Sequence, residues 1–468
     1  MSSNRLSKIG DLNPLVLIFV LTLFATVLTY VLPAGEFERA VDQSTGRTAV
    51  VAGTYHTVEQ SPVSLPEFAM SFNRGIINSA AIISFLLLIG GSFGILNSTG
   101  AVGALMTWLV TKFRSERSRQ VLIVLLIAFF EICGGTFGMS LEAMVFVPFL
   151  ISLAVRMGYD PLVGVALPVI GCNLGYGAAY LNPFSLGIAQ GIAGLPFTSG
   201  ISVRVALMIG YLIVSSALLL RYAEKVRKDP SQSLCEQGSY EHLAAEESQL
   251  LDFTNTHKAV LAVFIAGISY IVYGTIFLGF MMAECSTVFG VMGVLAGIIA
   301  RKTPSMIASE FIDGAKSVVS ACLLVGFANA INAIMSSGKI MDTIIYYLTL
   351  PLSDFSPLVC APLMAVIQTL VNFFINSGSA QAVVMMPLMV PIADILEVNR
   401  QVAVLAYQIG DGLSNMLWIT APLMLISIGI AKVPYTRYLK FISKIFLANL
   451  ALGMLTCTLA QALNWGPF

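Results

Sequence analysis

Charged side chains are scarce in this chain: Asp, Glu, Lys and Arg make up 11% of its 468 residues, roughly half the share in a soluble domain. Basic and acidic residues both number 25, so the charge balance implies no nucleic-acid or acidic partner. The seven cysteines are scattered without a CxxC spacing, which predicts neither a disulfide framework nor a metal site. Neither a GxxxxGKS/T nor an HExxH motif occurs, so nothing indicates nucleotide hydrolysis or zinc catalysis.

Long apolar runs are what the chain has in abundance. Hydrophobic residues make up 57% of it, and runs near the ~20 residues needed to cross a bilayer recur throughout. This pattern predicts an all-α, multi-pass membrane protein. Arg5 and Lys8 precede a first run that is long enough to span and lacks a small-residue cleavage pattern, so no cleavable signal peptide is expected. The main runs are 15–32, 76–96, 203–220, 259–276, 277–300 and 442–463.

One series of landmark residues occurs twice, 239 positions apart. In both copies a Gly/Ser/Thr-rich break, at 134–140 and at 376–380, interrupts an apolar stretch. Duplicated and interrupted apolar segments indicate the binding site of a secondary transporter. The repeated pairs are Phe72 and Phe311, Gly75 and Gly314, Pro148 and Pro387, Gly171 and Gly410, and Pro183 and Pro422.

These landmarks predict two halves, each with a hairpin and a broken helix. In the first hairpin, arms 120–133 and 142–155 have about 14 residues, or ~21 Å as helix, too short to cross ~30 Å of hydrocarbon. We therefore expect re-entrant hairpins. The predicted parts are a first repeat at 1–220 (hairpin 120–156, broken helix 161–195), a cytoplasmic linker at 221–258 and a second repeat at 259–468 (hairpin 357–396, broken helix 401–431).

The topology follows from the basic residues. Arg5 and Lys8 place the N-terminus in the cytoplasm. An additional crossing at 277–300 inverts the orientation of the second half in the membrane. The two hairpins therefore enter the membrane from opposite sides, and the C-terminus is periplasmic. On this topology Arg204 is one of the basic residues counted on the outer side of the membrane, and no lysine or arginine lies near the membrane centre.

Both hairpin tips and both helix breaks are expected to converge on one cavity, because non-helical backbone at membrane depth must be buried or line a watery space. The second arm of each hairpin begins at its tip and directs N-terminal amides toward the centre. Together with hydroxyls and amides, these ends could hold a carboxylate. The alternative is that the small residues only allow close helix packing. The side chains concerned are Thr136, Ser140, Asn182, Asn376, Ser377 and Ser379.

Two acids, Glu142 and Asp411, fall within these breaks. A carboxylate at the membrane centre costs about 3 kcal/mol on insertion scales, so it usually has a partner or a function. Each could bind a substrate ammonium or guanidinium, carry a coupling proton or sodium ion, or be a neutral structural acid. Asn173 is also expected to face the break, whereas Asp160 and Asp394 are placed at the interface.

Several segments resemble the anaerobic four-carbon-dicarboxylate carrier family and its basic amino-acid antiporter-like (YfcC-like) branch. They are 32–37 (LPAGEF), 135–139 (GTFGM), 182–184 (NPF), 187–191 (GIAQG), 376–379 (NSGS) and 410–412 (GDG). The resemblance spans the whole chain and implies membership of the ion-transporter superfamily, an elevator mechanism, and a homodimer joined through its scaffold.

By that resemblance the hairpin tips would line the substrate and ion sites. The candidate substrate ligands are Thr136, Gly138, Ser140, Glu142, Asn182, Asn376, Ser377, Gly378, Ser379, Asp411 and Asn415. The candidate ion ligands are Glu142, Asn173, Asp411 and Thr420. The chain departs from the expected pattern at Leu141 (a glutamate expected), at 419–421 (Ile-Thr-Ala for Pro-Thr-Ser) and at Ala380 (a glycine expected), which puts its coupling or specificity in question.

The sequence therefore predicts an inner-membrane secondary active transporter, a symporter or antiporter, for small carboxylate-bearing metabolites. Amino acids, including basic ones, come first and four-carbon dicarboxylates second. No cofactor, metal or catalytic activity is expected, and Na⁺ or H⁺ is the expected coupling ion. The rival hypotheses are an ion channel and an intramembrane protease. The second depends on Gly410 and Asp411 but lacks the usual glycine at Gln408 and a second buried aspartate.

Overall fold

The protein is described by a computed structural model that covers residues 14–41, 48–51, 53–113, 115–182, 184–196, 198–235, 253–278, 280 and 282–466. Its helices are α1 (Pro14–Val31), α2 (Leu65–Asn78), α3 (Ala80–Ser98), α4 (Ala101–Lys112), α5 (Glu116–Phe137), α6 (Val147–Arg156), α7 (Pro161–Gly177), α8 (Leu186–Ile192), α9 (Ile201–Lys228), α10 (Asn255–Tyr273), α11 (Met282–Ile299), α12 (Pro304–Ser337), α13 (Met341–Thr349), α14 (Pro357–Asn372), α15 (Gly378–Ile395), α16 (Arg400–Ser414), α17 (Pro422–Ile430) and α18 (Tyr435–Ala462). Short 3-10 turns occupy Leu141–Phe146, Pro230–Gln232 and Leu350–Asp354, and a π-helical turn occupies Gly274–Leu278.

Six helices in the described part of the chain, namely α3, α5, α9, α12, α15 and α18, are long and apolar enough to cross a membrane. Four further apolar helices, in α1, α7, α11 and α14, are shorter. The predicted multi-pass helical membrane protein is therefore confirmed at the level of its fold class.

The segment between α1 and α2 departs from an all-helical fold. It contains four short strands, paired antiparallel as β1 (Gly35–Glu36) with β4 (His56–Thr57) and β2 (Arg39–Val41) with β3 (Thr48–Val50). The Arg39 guanidinium contacts the Asp342 carboxylate at 2.8 Å, and Tyr55 stacks on Tyr346 with ring centroids 4.1 Å apart. These strands are thereby attached to the start of α13.

Glycines allow α12 to pack backbone to backbone against α2 and α3. A side-chain carbon on Gly75 would lie 2.3 Å from the Gly326 carbonyl oxygen, and one on Gly314 would lie 2.7 Å from the Gly94 Cα. The end of α2 thus faces the late part of α12, and the end of α3, further along the chain, faces the beginning of α12. The two helices that carry equivalent landmarks therefore run antiparallel.

The length argument for a re-entrant first hairpin is wrong for its first arm. Helix α5 begins at Glu116, continues through the Gly134–Gly135 pair and ends only at Phe137, so it is among the six helices long enough to span. Gly134 packs against the Cys172 backbone, where a side chain would overlap, and the helix ends where Gly138 adopts a φ of +76°. Packing against α7 explains why these glycines do not break the helix.

The connector between the halves starts later than the predicted boundary at 221, because α9 runs to Lys228. The chain after α9 then folds back onto Asp160. This aspartate is fully buried rather than at the surface, and it accepts hydrogen bonds from Ser233 Oγ (2.7 Å) and Tyr222 Oη (2.5 Å). Part of the predicted linker, 236–252, lies outside the described residues.

Candidate functional site: a cavity between two hairpin tips

The first hairpin tip, between α5 and α6, is held against the break between α7 and α8. Tyr176 Oη donates to the Gly138 carbonyl oxygen at 2.6 Å. The Asn182 side-chain amide donates to the Gly134 carbonyl oxygen at 3.2 Å, and its own oxygen accepts from the Phe184 backbone amide at 2.9 Å. These contacts satisfy backbone groups that the broken helices leave free.

The second tip, between α14 and α15, is held in a related way against the break between α16 and α17. Tyr407 Oη donates to the Gly378 carbonyl oxygen at 2.5 Å. The Asn376 amide donates to Asn415 Oδ1 at 2.8 Å, and the Asn372 amide donates to the Asp411 carbonyl oxygen at 2.8 Å. Each tip is therefore fixed by one tyrosine together with asparagine side chains, one at the first tip and two at the second.

The two breaks themselves touch. A side-chain carbon on Gly412 would lie 2.1 Å from the backbone nitrogen of Gly177, so the ends of α7 and α16 meet at main-chain distance. This contact brings both tips to the wall of one cavity of about 290 Å³. The candidate residues that line it are Gly138, Ser140, Glu142, Asn173, Asn376, Ser377, Gly378, Ser379 and Asn415.

Four candidate residues do not line this cavity. Thr136 Oγ1 bonds to Tyr180 Oη at 2.7 Å and to the Ile132 carbonyl oxygen at 2.5 Å. Asn182 is fully buried in the cap described above. Asp411 and Thr420 are buried without lining the cavity. The structure therefore separates the candidates into a group that lines the cavity and a group that does not.

The two acids differ in their surroundings. Glu142 lines the cavity, and its Oε2 accepts from the Ser140 backbone amide at 3.0 Å. Asp411 is 1% exposed, and neither of its carboxylate oxygens has a hydrogen-bond partner among the described residues. A side-chain carbon on Gly378 would lie 2.8 Å from Asp411 Oδ2. Asp411 thus lies directly behind the start of α15, with the Gly378 backbone between its carboxylate and the cavity.

Sequence reasoning missed the apolar part of the cavity wall. Apolar residues in a predicted span carry no signal that separates a lipid-facing side chain from a cavity-facing one. No lysine, arginine or histidine lines the cavity within the described part of the chain. The apolar residues concerned include Ile82, Phe146, Phe184, Ile268, Ile271, Phe280, Phe289 and Leu423.

Arg204, predicted to lie on the outer side of the membrane, is enclosed by the protein. Arg204 is fully buried in the first turn of α9, where its guanidinium donates to the Ala179 carbonyl oxygen at 3.2 Å and to Gln408 Oε1. Gln408 in turn donates to Ser185 Oγ at 3.1 Å. The carbonyl left free beyond the end of α7 supplies a partner that allows this cation to be buried.

Comparison with known proteins identifies the family. The family model described as "C4-dicarboxylate anaerobic carrier" matches residues 13–462. The chain belongs to this carrier family. A relative from Escherichia coli K12, provisionally named basic amino acid antiporter YfcC, is 30% identical over 92% of both chains. An uncharacterized Haemophilus influenzae protein is 26% identical over 93% of this chain and 94% of its own.

Two solved transporter structures also align with this carrier-family chain. The Alcanivorax borkumensis YdaH transporter gives a TM-score of 0.43 at 14% identity, covering 97% of this chain and 99% of its own. Neisseria gonorrhoeae MtrF, described as one of a class of antimetabolite efflux pumps, gives a TM-score of 0.43 at 18% identity, covering 96% and 95%.

Proposed function

We propose that this protein is a secondary active transporter of small carboxylate-bearing metabolites, with amino acids as its first substrate class, and that it works by an elevator mechanism. The observation that carries the proposal is the cavity bounded by both hairpin tips and both helix breaks. Interrupted helices that meet at one cavity are the arrangement in which transporters hold substrates and ions.

The start of α15 is the proposed grip for the substrate carboxylate. Ser377 and Ser379 line the cavity at the first residues of this 18-residue helix. The free backbone amides and the positive end of the helix dipole favour an anion there without a basic side chain. Glu142, at the other tip, is the proposed partner of a substrate ammonium group.

Asp411 and Thr420 are the proposed ion ligands behind the cavity, with Asn173 and Glu142 at its wall. A buried carboxylate without a protein partner is a candidate to take up a proton or Na⁺. With the ligands arranged in this way, an ion would bind at Asp411, behind Gly378, while a substrate binds in the cavity.

A four-carbon dicarboxylate is the alternative substrate, because the family model carries that description. It would bring two negative charges into a cavity where Glu142, an acid, is the only charged residue among the described lining residues. An amino acid brings one positive and one negative group, which suits Glu142 and the start of α15. For this reason we place amino acids first.

An inverted relation between the halves and two opposed re-entrant hairpins are part of the proposal. The antiparallel packing of α12 against α2 and α3 supports it, since these helices carry equivalent landmarks. We further propose that the protein lies in the inner membrane as a homodimer, with a cytoplasmic N-terminus and a periplasmic C-terminus.

The test is uptake into proteoliposomes that contain the purified full-length protein. Labelled arginine, a neutral amino acid and succinate are offered with imposed Na⁺ or H⁺ gradients. Saturable, gradient-driven uptake of an unchanged amino acid supports the proposal, and Asp411→Asn should abolish the ion dependence. Flux that does not saturate would indicate a channel, and a cleaved product would indicate an enzyme.

A further inference from the structure

The site cavity has two chemically different walls. Among the described residues, the polar side chains that line it all belong to a hairpin or a broken helix, including Glu142, Asn376 and Asn415. The described lining residues of α3, α10, α11 and the turn before α11 are all apolar. That set is Ile82, Ile268, Ile271, Phe280 and Phe289.

The apolar wall is packed in a fixed position rather than loosely exposed. Ile271 is 5% exposed and Phe289 is 1% exposed. The Phe280 ring packs edge-on against Tyr270 with centroids 5.5 Å apart, and its backbone amide donates to the Gly274 carbonyl oxygen at 3.0 Å. The π-helical turn at Gly274–Leu278 precedes this residue. These contacts hold aliphatic and aromatic side chains in place at the wall of the cavity that the polar tips also line.

We infer that the substrate is amphipathic: a carboxylate and ammonium at one end, and a compact uncharged aliphatic or aromatic group at the other. This inference rests on the proposed function and narrows its substrate class to apolar amino acids. The polar end would lie between Glu142 and the start of α15. The apolar end would lie against Ile268, Ile271 and Phe289.

The other two substrate classes fit the apolar wall poorly. The guanidinium of a basic amino acid, or the second carboxylate of a dicarboxylate, would face isoleucine and phenylalanine without a hydrogen-bond partner. Burying a charged group in that way is strongly unfavourable. The cavity of about 290 Å³ is also at the small end of the ~300–1,000 Å³ usual for ligand pockets. It therefore suits a compact substrate.

The apolar wall has a second conceivable role, as a dry barrier past which the polar tips move during transport. The two roles predict different effects of substitution. A barrier residue would change the maximal rate for every substrate by a similar factor. A specificity residue would change the relative affinity for substrates that differ only in their side group.

The experiment measures competition by unlabelled leucine, phenylalanine, arginine and succinate against the best labelled substrate in proteoliposomes. We expect leucine or phenylalanine to compete at least about 10-fold better than arginine or succinate, since each buried methylene in an apolar pocket contributes about 10-fold or more to discrimination. Ile268→Asn should reduce this preference by about the same factor. Ile265→Asn is the matched control, because Ile265 lies one turn away on α10, is 64% exposed and does not line the cavity.

A milder variant guards against misfolding of Ile268→Asn. Phe289→Ala keeps the wall apolar but enlarges the cavity. It should therefore shift the substrate preference from leucine toward phenylalanine or larger apolar amino acids. Arginine or succinate as the best competitor would overturn the inference while leaving the proposed transporter function intact. Equal rate loss for all substrates in both variants would also overturn it, in favour of the barrier role. Absence of uptake for every carboxylate would instead contradict the proposed function itself.

Discussion

At the scale of single residues, the two acids of the breaks have separate environments. Glu142 faces the cavity and bonds to the Ser140 backbone amide, whereas Asp411 lies behind Gly378 with no hydrogen-bond partner among the described residues. The two side chains carry the same functional group, but only the Glu142 carboxylate can contact a substrate in the cavity. We expect substitutions at the two positions to affect different steps of transport.

Glu142→Gln should raise KM for an amino acid by about 10-fold, which corresponds to about 1.4 kcal/mol. The amide oxygen of glutamine can still accept from the Ser140 amide, so the tip should keep its shape while losing the charge that attracts an ammonium group. Concentration-dependent initial uptake rates measure this change. Asp394→Asn is the control, since Asp394 forms an exposed ion pair with Arg400. An unchanged KM in Glu142→Gln would remove Glu142 from the substrate site.

Gly378→Ala should strongly reduce uptake. The added methyl group would lie 2.8 Å from Asp411 Oδ2 and 3.3 Å from Ser185 Cβ, so the start of α15 would have to shift away from the carboxylate. Uptake rates at saturating substrate measure the loss. Gly290→Ala is the matched control, because a methyl group there meets nothing within 4 Å. If Gly378→Ala transports as well as Gly290→Ala, the close approach of α15 to Asp411 is not needed for function.

At the scale of elements, glycine contacts decide which helices can meet. Gly314 approaches Gly90 and Gly94, and Gly412 approaches Gly177, at distances that exclude a side chain. Small residues permit such close approach in membrane proteins, where apolar burial between helices gives little driving force. The landmark glycines of the sequence are therefore explained by contacts between elements far apart in the chain.

Gly314→Ala should destabilise the packing of α3 on α12 by about 1–3 kcal/mol, the usual cost of overpacking. The methyl group would lie 2.2 Å from the Gly90 carbonyl oxygen, and backbone cannot move aside as a flexible side chain can. Thermal unfolding in detergent measures the loss. Gly429→Ala is the control, since its nearest neighbour would be the Leu324 side chain at 3.4 Å. An unfolding temperature equal to that of the control would contradict the packing described here.

At the scale of the whole molecule, the strands between α1 and α2 join distant parts of the chain. Asp342 accepts from Arg39 at 2.8 Å and from the Phe37 backbone amide at 3.0 Å, and its side chain is 5% exposed. The strand segment is thus tied to α13, about 300 residues later in the chain. Such a link restrains the strand segment relative to α13.

Asp342→Ala should lower the stability of the protein by about 1–3 kcal/mol, because it leaves a buried backbone amide and a guanidinium without their acceptor. Thermal unfolding combined with limited proteolysis of the strand segment measures the effect. Asp313→Asn is the control, as its pair with Lys316 is exposed on both sides and such pairs contribute about 0–1 kcal/mol. Equal stability of both variants would show that the strand segment is held mainly by Tyr55 and Tyr346.

Much of the fold could be predicted because it depends on local properties. Apolar length predicts helices in a membrane, and Gly/Ser/Thr clusters predict where those helices end or begin, as at Gly138 and Ser377. The prediction failed where a tertiary contact replaced a local preference. The Gly134–Gly135 pair, expected to break its helix, stays helical because it packs against α7. The burial of Arg204, for which the sequence carries no signal, is possible because Ala179 and Gln408 accept its hydrogen bonds.

The sequence by itself determined the class of protein, its family, the two interrupted stretches and the identity of the polar residues near them. Only the tertiary structure decided that Glu142 faces the cavity while Asp411 lies behind Gly378, and that Ile268 and Phe289 face the cavity rather than lipid. The physical reason is that lipid and a protein interior are equally apolar. An apolar side chain therefore carries no local signal of which one it contacts.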